Sequence, residues 1–121
     1  MLGRTARFRY GDAMLVILFR SRLTSEAGED YQSLGAEMEA LIRENPGYLA
    51  HKYYLAEDGE RLTLVWFRDA DSLKSWRELP PHADAQRRGR QRWYDWYTME
   101  VAEIVRTSKF QRSDERPVEP G

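Results

Sequence analysis

Two β-rich runs, residues 48–56 and 61–68, are separated only by Glu57-Asp58-Gly59-Glu60. An Asp-Gly pair tolerates the positive φ angles of a tight turn, so the two runs are expected to pair as an antiparallel hairpin. What flanks the hairpin then limits the fold to very few choices. Before it, residues 27–44 carry Tyr31, Leu34, Met38, Leu41 and Ile42 at steps of one, three and four, which is one apolar stripe of a helix. Asn45-Pro46-Gly47 stops that helix, because proline lacks a donor and restricts the residue before it. After the hairpin, Asp69-Ala70-Asp71-Ser72 offers capping side chains for a short helix reaching Trp76 or Arg77, and Pro80-Pro81 breaks it. A further helical stretch is expected over residues 82–93. The apolar run at 14–22 predicts a first strand covered on both faces, and the alternation over 97–106 predicts a last one. The order β-α-β-β-α-β predicts an α+β, ferredoxin-like sandwich of four antiparallel strands with helices on one face.

A chain of 121 residues fits one domain, expected over residues 13–110. Residues 1–12, with Arg4, Arg7 and Arg9 among few apolar neighbours, read as a flexible arm, and residues 111–121 as a disordered tail. Nineteen basic and twenty acidic residues leave a net charge of −1, which gives no general attraction to nucleic acid or anionic lipid. The basic run Arg87-Arg88-Gly89-Arg90-Gln91-Arg92 therefore reads as a solvated helix face rather than an RNA site. There is no cysteine, which removes disulfides and thiol chemistry and suits a reducing compartment. No apolar run is long enough to span a bilayer, and the expected location is cytoplasmic.

The segment from Trp76 to Tyr97 gathers Trp76, His82, Arg90, Trp93, Tyr94, Trp96 and Tyr97. Rings at this density either wall a pocket for a flat ligand or seal a subunit interface. The sheet raises the same alternative. Residues 61–68 offer Leu62, Leu64 and Trp66 on one side and Val65 and Phe67 on the other, so one apolar face remains after the helices are placed. A second copy of the chain, sheet against sheet, would cover it.

The stretch from Met14 to Arg106 resembles the antibiotic biosynthesis monooxygenase (ABM) superfamily, in a branch of small uncharacterised proteins. The resemblance is carried by LFRSRLTSEAGEDY, ENPGYLA, LVWF followed by SLKSW, and above all HADAQRRGRQRWYDWYTMEVAEIVR. It implies a homodimeric α/β barrel with a cleft between the helices and the sheet of each subunit. It also implies either oxidation of a phenol by molecular oxygen without cofactor or metal, or haem degradation.

In the first chemistry an ionised phenol or quinol itself delivers the electron to oxygen. The protein then binds, orients and moves a proton. Trp66, Trp76, Trp93 and Tyr97 are the candidate walls, His82 the candidate proton acceptor and Arg90 the candidate partner of a phenolate. Each has an ordinary alternative: core packing for Trp66 and Trp76, a helix start for His82, an ion pair for Arg90 and dimer packing for Trp93 and Tyr97. A non-enzymatic homodimer binding a small hydrophobic compound is the second reading. A haem-binding or haem-degrading protein is the third, although the chain's one asparagine, Asn45, is spent at a helix stop and does not rebuild the asparagine, tryptophan and histidine set of haem degraders. His51 and His82 have no carboxylate at an obvious ligand spacing, so no metal site is expected.

Overall fold

The computed structural model describes residues 13–112, so the arm and most of the tail lie outside the described residues. Strand β1 (Leu15–Leu23) leads into helix α1 (Glu29–Ile42), and the hairpin β2 (Tyr48–Leu55) and β3 (Arg61–Phe67) follows. Helices α2 (Ala70–Glu78) and α3 (Pro80–Arg88), a π-helical turn at Gly89–Trp93 and strand β4 (Tyr94–Glu103) complete the chain. The strands form one open antiparallel sheet in the order β2-β3-β1-β4. This is the ferredoxin-like arrangement that the order of elements predicts.

Local chemistry explains most boundaries. Gly59 turns the hairpin with φ of 92°, while Asp58 Oδ1 accepts from the Glu60 amide at 2.9 Å. Asp69 caps α2 by accepting from the Ser72 amide at 2.8 Å. After α1, Asn45 Oδ1 accepts from the Gly47 amide at 2.8 Å while its Nδ2 donates to the Ser72 carbonyl at 3.0 Å. That asparagine thus ties the start of β2 to the start of α2.

Two boundaries differ from expectation. The helix break falls at Leu79, whose ψ of 126° is the extended value favoured before proline, and Pro80 and Pro81 begin the next helix rather than merely ending the last. Strand β4 begins at Tyr94 instead of residue 97 and ends at Glu103 instead of 106. Its early start follows from anchoring. Thr24 takes the Trp93 carbonyl through its amide at 2.8 Å and the Arg92 carbonyl through Oγ1 at 2.7 Å, which brings Tyr94 into register with Leu23.

Alternation along each strand sorts the side chains into two layers. Leu15, Ile17 and Phe67 face the helices and join Ile42, Leu73 and Trp76 in the buried core. Val16, Leu18, Leu64 and Trp66 occupy the opposite face, which no helix among the described residues covers. At one end of that face Arg20 is held by Glu60 at 2.6 Å and lies over the Trp96 ring. Among the described residues no helix is long and apolar enough to cross a membrane.

Candidate functional site

The core fills one end of the space between helices and sheet, and the other end stays open as a cleft of about 560 Å³. Its floor is the helix-facing row of the sheet, with Phe19, Thr63, Val65, Tyr97 and Met99, and its roof comes from α1, α2, α3 and the π-turn.

Of the residues expected from the sequence, Trp76, His82, Trp93 and Tyr97 all line this cleft. Trp76 is buried at the end of α2, and His82 at the start of α3 stacks on it with ring centroids 4.4 Å apart. Trp93 closes the π-turn and is only 2% exposed. A π-turn inserts an extra residue per turn, and here it delivers Trp93 inward at the junction with β4. Gly89 makes this junction possible. A Cβ there would stand 2.5 Å from the Tyr94 ring, so only glycine lets the ring lie against the turn.

Two expected residues are placed differently. Trp66 alternates with Val65 and lies on the uncovered face of the sheet, so it does not wall the cleft. Arg90 is exposed on the π-turn and reaches the site only through Tyr97, donating to its hydroxyl at 3.0 Å.

Phe19 and Tyr31 complete the aromatic wall, and the sequence did not single them out as site residues. Phe19, Tyr94 and Tyr97 pack with centroids 5.3–5.6 Å apart, and Tyr31 from α1 meets both Trp93 and Tyr94 edge-on. At one side His51 bridges Glu39 and Tyr48: its Nε2 lies 2.9 Å from Glu39 Oε2 and its Nδ1 2.7 Å from the Tyr48 hydroxyl. If the carboxylate accepts from Nε2–H, the tyrosine hydroxyl donates to Nδ1. Sequence spacing did not place a carboxylate beside either histidine, and the fold supplies one across twelve residues. Among the described residues no group of three or more His, Asp or Glu side chains is placed to hold a metal ion.

Two buried polar atoms belong to residues of the cleft lining and are unengaged. Trp93 Nε1 and His82 Nδ1 are buried with no hydrogen-bond partner among the described residues. A buried donor or acceptor left unpaired is costly to the fold. Burial holds the His82 imidazole below its ordinary value, with the Arg77 backbone partly opposing this. Burial, together with the neighbouring Tyr31 phenol, raises Tyr94 well above the ordinary tyrosine range. Both side chains are therefore neutral near pH 7.

The described residues thus form a ferredoxin-like layer with an aromatic cleft between helices and sheet. Residues 14–88, more than half of the chain, match the family described as antibiotic biosynthesis monooxygenase, and the chain belongs to that family. An uncharacterised protein of Bacillus subtilis (strain 168), YqjZ, is 29% identical over 93 residues, covering 77% of this chain and 82% of that protein. Among solved structures, a variant of SnoaB, a cofactor-independent oxygenase from Streptomyces nogalater, superposes with a TM-score of 0.65 at 14% identity, over 78% of this chain and 96% of that one. Rv0793 from Mycobacterium tuberculosis gives 0.69 at 15% identity, over 80% and 100%. At these identities the structural likeness establishes the fold.

Proposed function

We propose that the chain is a cofactor-independent, monooxygenase-like protein that binds a small phenol or quinol in the cleft, and that it works as a homodimer joined through its open sheet faces. The observation that carries this reading is a cleft of about 560 Å³ walled by aromatic rings, with the neutral imidazole of His82 stacked on Trp76 in its lining. A flat ring fits between such walls, with the His82 imidazole as the neutral polar group beside it. Membership of the monooxygenase family and the fold shared with the oxygenase SnoaB support the same chemistry.

In that chemistry His82, neutral at pH 7, accepts the phenolic proton at Nδ1. The phenolate gives one electron to oxygen, and superoxide recombines with the ring radical at an unsubstituted ring carbon. Loss of water leaves a quinone. For a naphthol the balance is C10H8O + O2 → C10H6O2 + H2O, so no external reductant is required. Trp93 Nε1–H donates to the ligand oxygen as charge develops there, while Tyr97, held by Arg90, fixes one wall.

Oxygen uptake by the purified protein with 1-naphthol or 1,4-dihydroxynaphthalene tests this reading. Naphthol uptake matched one-for-one by quinone, and reduced at least about ten-fold by His82→Ala, is expected for a proton-transfer role. Uptake no faster than the buffer rate would remove the enzymatic reading. A non-enzymatic binder is favoured by one feature of the site: the Arg90 guanidinium is engaged with Tyr97 instead of entering the cleft. Ligand binding without oxygen uptake would select that alternative.

A further inference from the structure

Two cations line the cleft, Arg61 and Arg77. Arg61, the first residue of β3, is on the helix-facing row with Thr63 and Val65 and marks the hairpin end of the cavity. Its guanidinium lies over two tyrosine rings, 5.6 Å from the centroid of Tyr53 on β2 and 5.9 Å from that of Tyr31 on α1. Its charge is felt by the Tyr94 phenol inside the cleft, whose ionised form it favours.

Arg77 also lacks an ion pair among the described residues, and what sets Arg61 apart is that it alone of the two is held over aromatic rings with its donors unspent. Arg20, Arg22, Arg43, Arg87 and Arg92 each engage a carboxylate. Among the described residues Arg61 makes neither an ion pair nor a hydrogen bond, although its guanidinium has five N–H donors in a planar fork. The two rings hold the guanidinium in place without consuming those donors, since a cation over a ring face leaves its edge free. A planar fork with a free edge matches a carboxylate through two parallel hydrogen bonds. Aromatic walls strengthen such a pair by excluding water from one side of it.

We propose that Arg61 is an anion-binding residue of the cleft, and that the ligand is an aromatic compound bearing a carboxylate, its ring inside and its acid group at the hairpin end. This rests on the cleft being the ligand site. The ring system then extends from the Trp76 and Trp93 walls toward Tyr31 and Tyr53, so Arg61 sets the ligand's orientation as well as its charge.

Calorimetric titrations with 2-naphthoate and with its neutral isostere 2-naphthamide, at pH 7.5, test the assignment. Wild type should bind the acid about ten-fold more tightly than the amide, the effect of one charge-assisted pair. Arg61→Gln should bring the two affinities within about two-fold while leaving the amide unchanged, and Arg61→Lys should keep part of the preference. Circular dichroism establishes that each variant is folded, and Arg61→Lys provides the readout if Arg61→Gln is not. Equal binding of acid and amide by wild type, or a preference that survives Arg61→Gln, overturns the Arg61 assignment while leaving the cleft reading intact. Failure of both probes to bind wild type overturns both.

Discussion

The imidazole of His82 lies against the indole of Trp76 with ring centroids 4.4 Å apart and planes inclined by 36°. Two neighbouring helices meet through this contact, α2 contributing its buried last turn and α3 its first, on either side of the extended Leu79. The stacking holds the ring, whose Nδ1 is buried without a hydrogen-bond partner among the described residues. A local feature of the chain, a break before two prolines, thereby positions an imidazole in the lining of the cleft.

The pH dependence of stability follows from the burial of His82. Its folded-state value lies below the ordinary 6.5, so the unfolded chain takes up the proton first as pH falls. Stability from this group is complete above the unfolded value and declines as pH drops through 6.5 toward the lower folded value. Urea unfolding at pH 7.5 and 5.5 should show wild type weaker at the acid end, and His82→Gln should flatten that difference. A wild-type protein more stable at pH 5.5, or an unchanged slope in the variant, would contradict it.

Gly89→Ala tests the π-turn. The added methyl meets the Tyr94 ring at 2.5 Å, where neither Trp93 nor β4 has room to give, so a loss of about 1–3 kcal/mol is expected on chemical unfolding. Naphthol affinity should fall with it, because Tyr94 and Trp93 both line the cleft. A neutral substitution would mean that the turn is less constrained than its geometry implies.

The uncovered sheet face gives a prediction about assembly. Leu18 and Leu64 are register partners at its centre, beside Val16 and Trp66. If two such faces pack together, Leu64→Arg places a charge in a desolvated interface and should convert the dimer to monomer by light scattering, leaving the fold's circular dichroism in place. A wild-type monomer at micromolar concentration, or an unaffected variant dimer, would refute sheet-to-sheet assembly.

The fold was legible because its determinants are local. The Asp58-Gly59 turn, the stripe from Tyr31 to Ile42 and the Asp69 cap each act within a few residues. Strand β4 was placed three residues late because its start depends on Thr24, some seventy positions earlier, gripping the end of the π-turn. At the site, Trp76, His82, Trp93 and Tyr97 were visible as a dense aromatic block. Trp66 was misplaced because both faces of β3 are apolar, and alternation separates two faces without saying which one the helices cover. The Glu39–His51–Tyr48 bridge and the tyrosine pair around Arg61 join separate elements and left no signal in spacing.

The four tryptophans allow the central claim to be tested directly, since each indole N–H gives its own proton–nitrogen resonance. Trp76 and Trp93 line the cleft, whereas Trp66 and Trp96 alternate onto the opposite face. Titration of 15N-labelled protein with 1-naphthol should move the Trp76 and Trp93 signals, with Trp93 shifting downfield as its unpaired N–H gains an acceptor, and leave Trp66 and Trp96 in place. Saturable shifts confined to Trp66 and Trp96, or no shift in any indole at millimolar ligand, would contradict the assignment of this cleft as the binding site.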